Sequence, residues 1–151
     1  MLFTVGKIQK QLKEVKASIH RERLDIPQFK YLESDCPGAQ APDFDDRAWN
    51  DFPLGGLWGG HDKIAWFRSR VSVPAEWRDE KVILRFIVGP RDGYASTAET
   101  QLYVNGFPLQ AIDVWHEEAW LPPGLSKSFR GRKWHVSLAS TFRRTNTPRS
   151  A

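Results

Sequence analysis

The chain has 151 residues and a mass of 17.4 kDa, the size of one domain at about 150 residues apiece and long enough to bury roughly two thirds of its unfolded surface. Hydrophobic residues at 40%, charged residues at 26%, 11 Gly and 10 Pro exclude a disordered or fibrous chain; no apolar run nears the ~18 residues of a membrane span, and the single Cys36 excludes an internal disulfide. The net charge of +4 is lopsided: residues 127–151 hold seven basic residues and no acid, so residues 1–126, with 15 Lys+Arg against 18 Asp+Glu, carry −3. The basicity belongs to a tail, and a nucleic-acid partner, which needs a basic face on the fold, is not expected.

The opening segment reads as one amphipathic helix. Val5, Ile8, Leu12, Val15 and Ile19 follow at alternating spacings of three and four and share one stripe, while Lys7, Lys10, Lys13, Glu14 and Lys16 face elsewhere. Thr4 is the expected N-cap. The stripe must pack on something, so the helix is expected to lie on this domain or on a neighbouring one. A membrane-surface helix is the alternative, disfavoured because the stripe lacks Trp and Phe. Met1–His20 is punctuated by lysines and lacks the apolar stretch of about 7–15 residues of a signal peptide, which makes the cytoplasm the expected compartment and no membrane partner is expected.

From Leu24 to Gly60, Pro27, Pro37, Pro42 and Pro53 and two glycine pairs exclude long helices and leave loops and short strands. Beyond it the period becomes two. In Ile64–Val73, Phe67, Ser69, Val71 and Val73 share one face and Trp66, Arg68, Arg70 and Ser72 the other. Lys81–Val88 sets Val82, Leu84, Phe86 and Val88 against Ile83, Arg85 and Ile87. Ala98–Asn105 aligns Ala98, Thr100, Leu102 and Val104, then meets Asn105-Gly106, a dipeptide suited to the two positive φ values of a type I′ turn, so Phe107–Gln110 should return antiparallel. Lys133–Leu138 alternates Trp134, Val136 and Leu138 with His135 and Ser137. Short strands separated by turn chemistry predict a mainly β chain, an antiparallel β-sandwich. The expected division is a helix over 1–23, the sandwich over 24–140 and a basic, frayed tail over 141–151.

These words carry a family resemblance. Pro42-Asp43-Phe44-Asp45-Asp46 with Trp49, then Trp58, then Ala65-Trp66-Phe67-Arg68 running into Val71-Ser72-Val73-Pro74, then Leu102-Tyr103-Val104-Asn105-Gly106, resemble the galactose-binding-like jelly-roll domain at the front of many large glycoside hydrolases. His20-Arg21-Glu22-Arg23 ahead of Leu24 and Pro27, and Ile112-Asp113 with His116 and Glu118, are similar to the amino-terminal domain of cytosolic and bacterial α-mannosidases of glycoside hydrolase family 38. The likeness covers about residues 1–123. It implies a non-catalytic domain whose partner is a larger catalytic portion, holding a zinc ion and a carboxylate nucleophile; no cofactor is expected in this chain. Where the family continues into further domains this chain has the polar stretch Thr141–Ala151, and the expectation is a fragment, a truncated product or a misread frame.

Candidate chemistry is sparse. Glycoside hydrolysis needs two carboxyl groups flanking the bond; Glu117 with Glu118, and Asp43, Asp45 and Asp46, are the nearest approach, yet the resemblance is to a non-catalytic domain and no catalytic residue is assigned. Asp45 or Asp46 is expected to cap the turn that presents Trp49 to the core. Zinc needs three or four converging ligands, and His20, His61, His116, His135 and Cys36 show no such spacing, so no metal site is assigned. Trp58 with His61-Asp62, beside Gly59-Gly60, offers an aromatic among polar groups, the composition of a sugar contact or of an interface with the catalytic portion. Of the seven tryptophans, Trp49 and Trp66 are expected in the core. Asp113, Trp115, His116 and Glu118, with Trp120, fall where the family packs on its next domain, and are expected to be exposed here as an orphaned interface. Carbohydrate is the alternative partner, and a stand-alone carbohydrate-binding module the alternative function.

Overall fold

The computed structural model describes residues 2–26, 28–60, 62–77, 80–89, 98–122 and 133–142. Its elements are helix α1 (Leu2–Ser18) and strands β1 (Phe29–Leu32), β2 (Asn50–Phe52), β3 (Lys63–Ser72), β4 (Ile83–Arg85), β5 (Ala98–Val104), β6 (Phe107–Ile112), β7 (Glu118–Trp120) and β8 (Lys133–Phe142), with one 3₁₀ turn at Ala75–Trp77. Six strands form an antiparallel sheet in the order β2-β1-β3-β8-β5-β6, and β4 pairs with β7 in a second, smaller sheet. The result is the expected antiparallel β-sandwich of jelly-roll type.

The alternations read from the sequence decide what fills it. Ala65, Phe67 and Val71 of β3, Leu102 and Val104 of β5, and Trp134, Val136 and Leu138 of β8 meet Val82, Leu84, Phe86, Ala119 and Leu121 from the β4 and β7 segments, forming the dry interior. The long β3–β8 ladder keeps register from Lys63↔Phe142 to Ser72↔Lys133. Asn105 and Gly106 take φ values of 51° and 86°, and β6 returns along β5 as the turn chemistry requires. Gly106 also lies against Pro42, so a side chain there meets a neighbour as well as an unfavourable backbone.

Two expectations are corrected, the N-cap and the start of the tail, and the place of the helix is narrowed to a neighbouring domain. α1 begins at Leu2, so Thr4 sits within its first turn and is not the N-cap. The stripe of α1 does not lie on the sandwich: Val5, Ile8, Leu12 and Val15 remain 52% to 59% exposed, and the helix packs against no strand. β8 runs to Phe142, two residues into the segment assigned to the tail; the rest of that tail lies outside the described residues. The Lys81–Val88 alternation holds in burial, although only Ile83–Arg85 pairs as a strand.

The outer face of the large sheet has a cover of its own. Residues 33–49 cross it in a chain of tight turns, with Ala39 N–H donating to the Cys36 carbonyl (3.1 Å), Ala41 to Gly38 (3.0 Å), Phe44 to Ala41 (3.2 Å) and Trp49 to Asp46 (3.1 Å). Trp49 and Trp66 are buried as expected, but in this second cluster with Ala39 rather than between the sheets. Trp66 stacks on Tyr103 with centroids 5.8 Å apart, and Phe44 meets Trp49 edge-on at 5.6 Å.

Candidate functional site

Under that cover lies a charged interior. Arg68 on β3 is 2% exposed; its Nε donates to Asp46 Oδ2 (3.0 Å) and its Nη1 to Ser137 Oγ (3.2 Å) and to the Ala39 carbonyl, while the guanidinium sits 5.4 Å from the Phe44 ring centre. Arg70 donates to the other oxygen, Asp46 Oδ1 (3.0 Å). Burial opposes the charge on Asp46, but the hydrogen bonds from Arg68 and Arg70 prevail and hold its carboxyl below the ordinary carboxylate range. A carboxylate fixed between two guanidinium groups is a poor proton donor, so Asp46 is a structural pin. Of the two capping candidates, Asp45 does the capping: its Oδ1 accepts the Arg47 N–H at 3.1 Å. Its side chain also pairs with the Arg47 guanidinium at 2.7 Å.

The other carboxylate pair is divided at the start of β7. Glu117, just ahead of the strand, is buried, with Oε2 3.0 Å from Arg85 Nη2, whereas Glu118 turns outward, 3.9 Å from His20 Nε2. With one carboxylate buried on Arg85 and the other exposed, Glu117 and Glu118 do not flank a common bond. Among the described residues no three His, Cys, Asp or Glu side chains gather as a metal-holding set. The described residues thus do not fit a zinc ion.

The sequence candidates separate into two places. Trp58 turns inward and packs edge-on against Phe67 with centroids 5.3 Å apart, contributing its bulk to the main interior. Asp62 is exposed, with a φ of 51°; His61 lies outside the described residues. The turn from β6 to β7 gathers the remainder. Asp113 Oδ1 accepts the backbone N–H groups of Trp115 (2.7 Å) and His116 (2.8 Å), and its Oδ2 lies 2.9 Å from His116 Nδ1. The bond to His116 first of all, joined by the two backbone donors, holds the Asp113 carboxyl below its ordinary range against the opposing effect of burial. This anchored turn presents Trp115, 69% exposed, and β7 then presents Trp120, 57% exposed, on either side of the buried Val114, Glu117 and Ala119. Both indoles are therefore exposed in this chain.

Beside this edge, a groove of about 1510 Å³ opens between the lead-in at residues 19–26, the loop at residues 52–58 and the β4 segment. Its floor includes Phe29, Trp58 and Val82, and Trp120 stands on its rim. It exceeds the roughly 300–1,000 Å³ of ordinary small-molecule sites, a size suited to a protein surface. Arg21 reaches Glu80 at 3.0 Å and Trp77 Nε1 donates to Glu22, tying the lead-in across it. Reading by motif missed this groove, because its walls come from three separated segments; the only local signal was the alternation that turns Ile83 and Ile87 away from the core.

No helix among the described residues is long and apolar enough to cross a membrane. Solved structures share the fold. β-Glucuronidase of Bacteroides uniformis matches with a TM-score of 0.64 at 18% identity, over 85% of this chain and 16% of its own. A glycosyl hydrolase family 2 member from Bacteroides cellulosilyticus gives 0.59 at 14% identity, over 84% of this chain and 18% of its own. β-Glucuronidase of Ruminococcus gnavus gives 0.53 at 16% identity, over 76% and 20%. The chain thus spans between about a sixth and a fifth of the length of these structures. No curated protein sequence matches it. The model of one family, described as the jelly roll domain of α-mannosidase, matches residues 30–137 and so takes in β2 to β7 whole, all but the first residue of β1 and the first half of β8; the chain belongs to the family of α-mannosidase jelly roll domains.

Proposed function

We propose that this chain is the non-catalytic jelly-roll domain of an α-mannosidase-like glycoside hydrolase of family 38, and that it packs against a catalytic portion and helps wall the cleft in which α-mannosides are hydrolysed. The observation that carries this role is the pair of exposed indoles, Trp115 on the turn tied by Asp113 and Trp120 on the β7 that follows. Large apolar rings on an ordered edge, next to an open groove, suit a permanent protein contact better than water. Asp113, His116 and Glu118 supply the polar rim of that contact, and His20 joins the lead-in to the same edge through Glu118. The cytoplasm is the proposed compartment.

The family match supports the membership, and the division of the carboxylates between separate structural pairs supports a non-catalytic role. The purified chain should leave an aryl α-mannoside intact. Joined to its catalytic portion, it should shield Trp115 and Trp120 from acrylamide quenching. Turnover that survives repurification would overturn the assignment, as would undiminished quenching in the joined protein.

A second reading, a carbohydrate-binding module, is favoured by one observation: Trp115 stands beside the Asp113–His116 pair, an indole face next to hydrogen-bonding groups. It requires a saturable change in tryptophan emission when mannose or galactose is added to the isolated chain, abolished by Trp115→Ala.

A further inference from the structure

Four strands stand at the edges of the two described sheets, β2 and β6 in the larger and β4 and β7 in the smaller. An edge offers bare backbone donors and acceptors to any passing strand, and folded proteins blunt theirs. Three of these edges are blunted. Pro53 directly follows β2, Pro108 removes a donor from β6, and on the outer side of β7 the Glu118 carbonyl accepts Gln110 Nε2 at 2.8 Å. The fourth edge, β4, carries no such device.

The ladder between β4 and β7 uses alternate residues. Leu121 N–H donates to the Val82 carbonyl (3.1 Å) and Phe86 N–H to the Glu117 carbonyl (2.8 Å), with Leu84 opposite Ala119 between them. Antiparallel bonding leaves the intervening residues facing the other way. The N–H and C=O groups of Ile83 and Arg85 therefore point off the free side of β4, where no described strand pairs with them. That side opens on the groove: Ile83 and Arg85 line it, together with Phe67 and Val71 from the inner face of the larger sheet. The smaller sheet has two described strands against six in the larger, and the groove lies where a third would stand.

This geometry specifies the occupant. A row of donors and acceptors at every second residue is matched by another extended backbone, whose side chains turn alternately inward to the apolar lining and outward. Four Lys and Arg and four Asp and Glu line the groove, and Arg21 and Arg85 are already paired with Glu80 and Glu117, so charge complementarity calls for a segment without net charge. Arg21 with Glu80, and Trp77 with Glu22, tie the lead-in across the groove. That arrangement suits the passage of one extended segment rather than the entry of a second folded copy.

We infer that the free side of β4 is a strand-acceptor site, which takes an extended, uncharged segment of a partner polypeptide with apolar side chains at every second position. The site does not depend on the role proposed for the Trp115 edge.

The probe is a capped peptide of about eight residues alternating valine with threonine, added to the full chain. Exchange of the Ile83 and Arg85 amide protons, followed by NMR, should slow by about tenfold, while that of Phe86, already bonded within the sheet, should not change. The same residues with the valines grouped together, and the same peptide N-methylated throughout, should have no effect. Ile83→Pro removes a donor from the free side and none from the ladder with β7; it should abolish the slowing at Arg85 with near-ultraviolet dichroism intact, and Trp115→Ala should leave the slowing in place. Exchange that the alternating peptide does not slow overturns the inference, as does slowing produced equally by the grouped or N-methylated peptide, or slowing that survives Ile83→Pro. So does slowing that appears without peptide as the chain is concentrated, which would make a second copy the occupant.

Discussion

Two regions of this molecule set a pair of tryptophans beside an aspartate-anchored turn, and they end in opposite states. At residues 33–49 the chain folds back over the large sheet, and Trp49 and Trp66 are sealed beneath it around Arg68 and Asp46. At residues 113–120 the turn is as firmly tied, by Asp113, yet Trp115 and Trp120 face outward. Local anchoring is therefore not what buries an indole. Burial follows from whether a second layer of chain passes over it, and the contrast separates the side of the domain that completes itself from the side that requires company.

The sharpest way to break the contrast is to open the sealed side. Arg68→Ala leaves Asp46 ionised in the interior with one partner, and removing one member of a buried pair costs about 3–5 kcal/mol; urea unfolding should show a loss of that size. Trp49→Ala should cost a comparable ~3–5 kcal/mol through the cavity beneath the loop, whereas an unchanged midpoint would mean the loop is not a cover at all.

Acid should open the same side more gently. The Asp46 carboxyl titrates lower in the folded chain than in the unfolded one, so its contribution is full above the ordinary carboxylate value and fades as pH falls through its lowered folded value. Urea midpoints should drop below about pH 4, and Asp46→Asn, less stable at neutral pH, should flatten that slope. His135 acts at milder pH: burial first, then Arg70 and Arg68, push its pKa down, so stability should decline as pH falls below about 6.5. His135→Gln should remove that part of the pH dependence.

On the exposed side effects should be small. Asp113→Ala loses the acceptor for two backbone donors that water can then reach, and about 1 kcal/mol is expected. Trp115→Ala should stay within about 0.5 kcal/mol of the parent while reducing the fraction of emission quenched by iodide. A large loss of stability from Trp115→Ala would show that the edge is internal after all.

Much of the sandwich was legible because its strands alternate strictly. The faces of β3, β5 and β8 and the Asn105-Gly106 hairpin follow from a period of two and from one dipeptide tolerant of positive φ. β7 was not legible as a strand: three residues, Glu118–Trp120, carry too short an alternation to be told from a loop. Nor was the outer cover. The alternation sets Arg68 and Arg70 opposite Phe67 and Val71 without saying what lies over them, and only Asp46, 22 and 24 residues earlier, turns that face into an interior. Among the candidate site residues, the Asp113–Glu118 group was found through resemblance rather than periodicity, and Trp58 was assigned to recognition although it packs on Phe67.

Taken by itself, the order of residues determined which faces are apolar and where the chain reverses. Those are properties of neighbours within a few residues, and local geometry suffices to express them. The tertiary structure alone decided which of two similar tryptophan-bearing turns is covered, which carboxylates are neutralised by arginine and which apolar stripe is left without a partner. Each of these depends on segments distant in the chain coming to the same place, and loop closure over such distances is governed by the whole fold rather than by any one word in it.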